Sequence, residues 1–320
     1  MADVLEFPWT SPIETSDDGP ALAVLGDGLY IAWIGSGNQH LNIMPSVDVG
    51  GGVVGFDSNA KIVVDRGQSQ ELNSLGGPAL ASTQDGLLLL AWTHDGGGFL
   101  GPGSARSMFG IFFDPAFNRR GFVASLDTSD DGPAIVNWPQ GNGINIGWRG
   151  SGNRNLNVMQ GMDPNTVETS PESSPFRPAL CTSEWPDFAI HLAWTGEGDG
   201  ELNIMRMVNS NPFLGAPPFK TKFDSASKVS IPNETSPSAP AIASLGKALY
   251  LCWRGKGNDQ INIMGMHQGT GERSKKPPSS RTTEHHPAIA QYRGRLFVAW
   301  TGTDDHLNVA QVAPMYDPHI

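Results

Sequence analysis

Arg177 and His286 each stand immediately before a Pro-Ala dipeptide, in Arg177-Pro178-Ala179 and His286-Pro287-Ala288. Both donate hydrogen bonds at neutral pH, Arg always and His through its neutral N–H or its charged form. Two such donors aimed at one ligand oxygen would stabilise charge building on it, a chemistry that needs orientation and electrostatics but no nucleophile. They are therefore the candidate catalytic pair. Asp18 and Asp131 lie in matching Asp-Asp-Gly-Pro runs, His285 adjoins His286, and Phe99 and Phe176 offer apolar surface. These five are the candidate substrate-binding residues. A structural role for Arg177, paired with a carboxylate such as Asp131 or Glu284, stands beside the chemical one.

Other chemistries find little support. Among eight histidines there is no HExxH or CxxC spacing, so no metal is expected. Gly96-Gly97-Gly98 lacks the Lys-Ser/Thr of a phosphate loop, and no cofactor is expected. Cys181 and Cys252 sit inside apolar runs and read as buried free thiols. The net charge of -11, with no basic stripe, argues against nucleic acid and anionic membranes as partners. Small-molecule substrates, and a monomer or homodimer, are the expectation. Met1 to Pro8 contains no apolar run of signal-peptide length, which points to a cytoplasmic protein.

The elements that must position these residues follow from a repeat. Pro-Ala followed by Leu or Ile recurs at Pro20, Pro78, Pro133, Pro178, Pro240 and Pro287. Each is followed by an apolar strand carrying Trp33, Trp92, Trp148, Trp194, Trp253 or Trp300. Five of the six units then show Leu/Ile-Asn-Ile/Val, with Asn42, Asn157, Asn203, Asn262 and Asn308; the second unit is the exception. Short strands, abundant turn residues (39 Gly, 25 Pro) and no 3.6-residue period make each unit a propeller blade. The expected fold is all-β, one six-bladed β-propeller domain over residues 1–320. The tryptophans read as inter-blade core, the asparagines as ties between strands or turns, and the alanines after each proline as channel lining. The last unit lacks an outer strand, and Val4-Leu5-Glu6-Phe7 is placed to supply it and close the ring.

Loops joining one blade to the next meet at the channel mouth, and there the six units differ. Three offer glycine, while two offer Arg177 and His286. The second unit also carries a long insertion over residues 94–106, read either as a tolerated surface loop or as a lid over one end of a pocket.

The repeat over residues 20–312 resembles the propellers of fungal and bacterial lectins and sialidase-like proteins, and is read as without the Ser/Thr-x-Asp-x-Gly boxes and arginine triad of a sialidase. In size, blade number and uneven rim the chain is also similar to the hetero-Diels-Alderases of fungal tropolone-sesquiterpenoid pathways. That resemblance implies a cofactor-free coupling of a tropolone quinone methide to a humulene-type alkene, with Arg177 and His286 on the diene oxygen. The lectin resemblance implies carbohydrate binding instead.

Overall fold

The computed structural model describes residues 3–64, 72–94, 106–138, 143–184, 188–209 and 221–315. The insertion that raised the possibility of a lid, including Phe99, lies outside the described residues apart from its ends.

Each Pro-Ala opens an innermost strand: Ala21–Leu25, Ala79–Ser82, Ala134–Trp138, Ala179–Thr182, Ala241–Leu245 and Ala288–Tyr292. Proline fits there because the first residue of a strand needs no ladder donor. The second strands carry the tryptophans: Gly28–Ile34, Leu88–Thr93, Gly143–Arg149, Ile190–Thr195, Ala248–Arg254 and Arg295–Thr301. The third are Leu41–Gly50, Ser107–Phe113, Asn155–Gln160, Glu201–Asn209, Ile261–His267 and His306–Val312. Every pairing within a blade is antiparallel, and the six sheets are the blades of a β-propeller.

One register serves five blades. Tryptophan stands opposite asparagine in Trp33↔Asn42, Trp148↔Asn157, Trp194↔Asn203, Trp253↔Asn262 and Trp300↔Asn308. Blade two has Trp92↔Phe109 in its place. The asparagines are ties, as expected. Each Nδ2 donates to the carbonyl two residues back, from Asn42 to His40 O (2.8 Å) through Asn308 to His306 O (2.8 Å). In three blades the Oδ1 accepts an outer-strand hydroxyl: Thr10 to Asn308, Thr169 to Asn157 and Ser230 to Asn203, at 2.6 to 2.7 Å.

The core falls into six clusters, one at each blade interface. Every repeat tryptophan is at most 2% exposed and packs toward the preceding blade; Trp33, for example, meets Phe297 and Val309 of blade six. Met44, Met159, Met205 and Met264 fill the same seams. Stability is therefore shared among interfaces, and truncating one such tryptophan is worth about 3–5 kcal/mol.

The ring closes through the N-terminus. Leu5–Thr15 pairs antiparallel with His306–Val312, from Leu5↔Val312 to Thr15↔His306. The closing strand is longer than the four residues the apolar pattern suggested, because two irregularities let it follow the twist of the blade beyond Phe7. Closure buries Val4 and Leu5 and pairs the outer edge of His306–Val312. Cys181 and Cys252 are buried and unpaired, and burial pushes both thiols well above their ordinary value. No helix among the described residues is long and apolar enough to cross a membrane.

Candidate functional site

The Asp-Asp-Gly runs before two of the prolines organise one end of the channel. Their first aspartates hold their own blade's turn between second and third strands. Asp17 accepts from Ser36 Oγ (2.6 Å) and Gly37 N–H (2.8 Å), and Asp130 from Ser151 Oγ (2.7 Å) and Gly152 N–H (3.0 Å). Their second aspartates reach the next blade. Asp18 Oδ2 accepts the Gly77 N–H (2.6 Å), and Asp131 Oδ2 accepts the Arg177 backbone N–H (2.9 Å). The donor in each case is the residue before a proline. Glycine is required where these segments converge: a Cβ on Gly132 would lie 2.0 Å from Gly77 O, and one on Gly19 2.1 Å from His286 O.

Arg177 crosses the axis from blade four. Its Nη1 donates to Gly77 O and to Pro78 O (3.1 Å) of blade two, and its Nη2 donates to His286 Nε2 of blade six. His286 Nδ1 faces Asp18 Oδ1 at 3.3 Å. The partners assign the tautomer: a neutral imidazole with its proton on Nδ1 toward Asp18 and its Nε2 lone pair toward Arg177. Burial, with the neighbouring Arg177 charge, holds the His286 pKa below its ordinary value against the opposing pull of Asp18. Burial opposes the Asp18 charge, yet His286, His285 and Arg177 together hold its carboxyl well below the usual range. Burial likewise lowers Arg177, partly offset by Asp131 and Asp18, and a guanidinium so held stays protonated at neutral pH.

Arg177 and His286 thus come together as the sequence suggests, but the picture of two donors free for a ligand needs correcting. The Arg177 Nη2 donor and the His286 Nε2 lone pair engage each other, and Arg177 Nη1 closes the axis onto carbonyls. The rim-carboxylate alternative is modified too, since Asp131 takes the Arg177 backbone N–H rather than the guanidinium. His285, half-buried, has Nδ1 3.7 Å from Asp18 Oδ1. Phe176 is half-buried and is not among the residues lining either channel cavity. Beside the Arg177–His286 closure the space is small, about 100 Å³.

The other end of the channel is open, with a cavity of about 490 Å³. Period-two alternation stacks two rings along its wall. The second residue after each proline is apolar: Leu22, Leu80, Ile135, Leu180, Ile242 and Ile289. The fourth residue is Val24, Ser82, Asn137, Thr182, Ser244 or Gln291, polar in five blades of six. Ser244 Oγ donates to Thr182 O (2.6 Å), whereas Asn137 Oδ1 is buried without a hydrogen-bond partner among the described residues. Glu184 adds one exposed carboxylate at the mouth. Sequence reading passed over this ring, although counting four residues from each proline would have found it. Among the described residues, no group of three or more His, Cys, Asp or Glu side chains is placed to hold a metal ion.

By sequence, the chain matches no protein-family model and no curated protein. In three dimensions it is similar to the Hadza microbial sialidase Hz136, at TM-score 0.63 and 11% identity over 93% of this chain; it spans 66% of that chain's length. It is similar to YjhT at TM-score 0.54 and 13% identity, covering 96% of each chain. The Cps50 (Swd1) β-propeller domain of Myceliophteria thermophila matches at TM-score 0.52 and 14% identity, over 96% of this chain and all of that one. At these identities the likeness is one of fold.

Proposed function

We propose that this propeller is a carbohydrate-binding protein that takes a small neutral saccharide in the open end of its central channel. The polar ring carries the reading. Five blades present hydroxyl or amide groups at one level of a cavity of about 490 Å³, above an apolar collar. Small ligands are held in cavities of roughly 300–1,000 Å³ by a few convergent polar groups on an apolar wall. Asn and Gln amides and Ser and Thr hydroxyls both donate and accept, as sugar hydroxyls do. Asn137 lines the cavity in blade three, with its Oδ1 buried. The ring is unequal from blade to blade, which favours one central ligand over six equivalent ones.

A cycloaddition between a tropolone quinone methide and a humulene-type alkene asks for a largely apolar chamber with a free donor on the diene oxygen. Arg177 and His286 hydrogen-bond to each other, and the space beside them is about 100 Å³. The geometry therefore favours saccharide binding.

The test is titration calorimetry with a panel of neutral mono- and disaccharides, beside an assay of cycloadduct yield and stereochemistry with and without protein. Binding is expected to weaken at least tenfold, about 1.4 kcal/mol, in Asn137→Ala and in Gln291→Ala. Wild-type affinity in both variants, no binding at millimolar sugar, or protein-dependent cycloaddition would overturn the assignment.

A further inference from the structure

A second cavity, of about 410 Å³, lies between blades one and six on the outer side of the propeller. Two arginines and two carboxylates line it, Arg293 and Arg295 from blade six and Asp27 and Asp48 from blade one. Among the described residues no ion pair joins any of these four to another. All four residues are solvent-exposed. Here neutral partners hold the guanidinia in place. Arg295 Nη1 donates to Gln311 Oε1 (2.7 Å). The Arg293 guanidinium lies 4.9 Å from the centre of the Tyr292 ring, and its Nη2 donates to Asp27 O (3.4 Å). Tyr292 Oη in turn donates to Asp27 O (2.8 Å), which anchors the ring beneath Arg293 across the blade boundary.

The turn that carries Arg293 is unusual. Blades one and five also join their first two strands by two-residue turns, with glycine first, Gly26 (φ 56°) and Gly246 (φ 59°), and a second residue outside the left-handed region. Blade six has Arg293 there, at φ 49°, followed by Gly294 at φ 73°. On the opposite wall Ser46-Val47-Asp48-Val49-Gly50, a Ser-x-Asp-x-Gly run that corrects the expectation of no such box, forms one arm of the outer hairpin of blade one. Asp48 Oδ1 accepts the Gly50 N–H (2.8 Å) there, which holds the carboxylate at the cavity.

We propose that this inter-blade cavity is a second binding site, for a saccharide bearing a carboxylate. A guanidinium pair matches a carboxylate in charge and in planar geometry. Asp27 and Asp48 accept hydroxyls from the same sugar ring. A ligand with an anionic group at one end and hydroxyl donors at the other satisfies both walls, whereas a free anion satisfies one. The site stands apart from the central channel and does not depend on what binds there.

The experiment is calorimetric titration of the full chain with galacturonate and glucuronate oligosaccharides, each beside its methyl ester. The free acids are expected to bind, with affinity falling as salt rises, and the neutral esters to bind at least tenfold more weakly. Arg293→Gly is the decisive variant, because glycine suits the positive φ. It should melt no lower than wild type and lose acid binding at least tenfold, while Asn137→Ala leaves acid binding unchanged. Equal binding of acid and ester, wild-type affinity in Arg293→Gly, or no binding of either acid at millimolar concentration would overturn the proposal. Loss in Asn137→Ala together with retention in Arg293→Gly would move the acid into the channel and also overturn it.

Discussion

Replacing Arg177 with Ala removes a side chain that joins blades two, four and six across the axis. Its guanidinium donates to Gly77 O, Pro78 O and His286 Nε2, and the residue is 8% exposed. Hydrogen bonds from a charged group contribute about 1.5–3 kcal/mol each, but their sum overstates the loss. The space of about 100 Å³ beside Arg177 admits water to the freed carbonyls. Partial replacement of the three bonds by water brings the expected loss to about 3–5 kcal/mol, and Asp18 and Asp131, which among the described residues make no ion pair with the guanidinium, lose only its longer-range charge. Unfolding entropy of about 2.1 cal/mol/K per residue over 320 residues is about 0.7 kcal/mol/K, so the melting temperature should fall by about 4–8 °C. Differential scanning calorimetry measures the shift. A double-mutant cycle with His286→Ala should show coupling of about 1 kcal/mol or more, because the two side chains are in contact. Arg177→Ala melting within about 1 °C of wild type, or additive single effects, would show that the axial cluster does not hold the blades together.

Acid should destabilise the fold through His286. Because its folded pKa is depressed, the unfolded chain takes up the proton first. The stability contributed by neutral His286 is complete above about pH 6.5 and is lost as pH falls toward the folded value, at up to about 1.4 kcal/mol per pH unit. Asp18 acts lower, its contribution complete above about pH 3.9 and lost only below that. Guanidinium midpoints from pH 7.5 to 5 should decline in wild type and less in His286→Gln; parallel profiles would refute the assignment. Deleting residues 1–10 removes Val4 and Leu5 from the seam between blades five and six, at least about 3 kcal/mol of apolar burial, and unpairs most of the His306–Val312 edge. A marked drop in melting temperature and concentration-dependent association are expected, and an unchanged, monomeric melt would contradict ring closure by this strand.

The architecture was legible in the sequence because a propeller is a sum of like units. Pro20 and its five counterparts, the six tryptophans and the five asparagines each answer to a local rule: strand start, apolar period or turn tie. The missing outer strand of the last unit even announced its replacement by Val4-Leu5-Glu6-Phe7. The polar ring from Ser82 to Gln291 was also present as text, but only the alternation of side chains around a closed channel makes five scattered residues one surface. Other features depended wholly on tertiary structure. Arg177 and His286 are 109 residues apart, and no spacing rule says that they touch rather than both face a ligand. Which partner each takes depends on where backbone carbonyls from a third blade fall, and Gly77 O falls within reach of Arg177 Nη1. The cavity between blades one and six is likewise invisible along the chain, because Asp27 and Arg293 become neighbours only when the N-terminal strand draws the last blade against the first. Local sequence determines the blade, through short-range sterics and periodicity, and ring closure determines which side chains of different blades share a site.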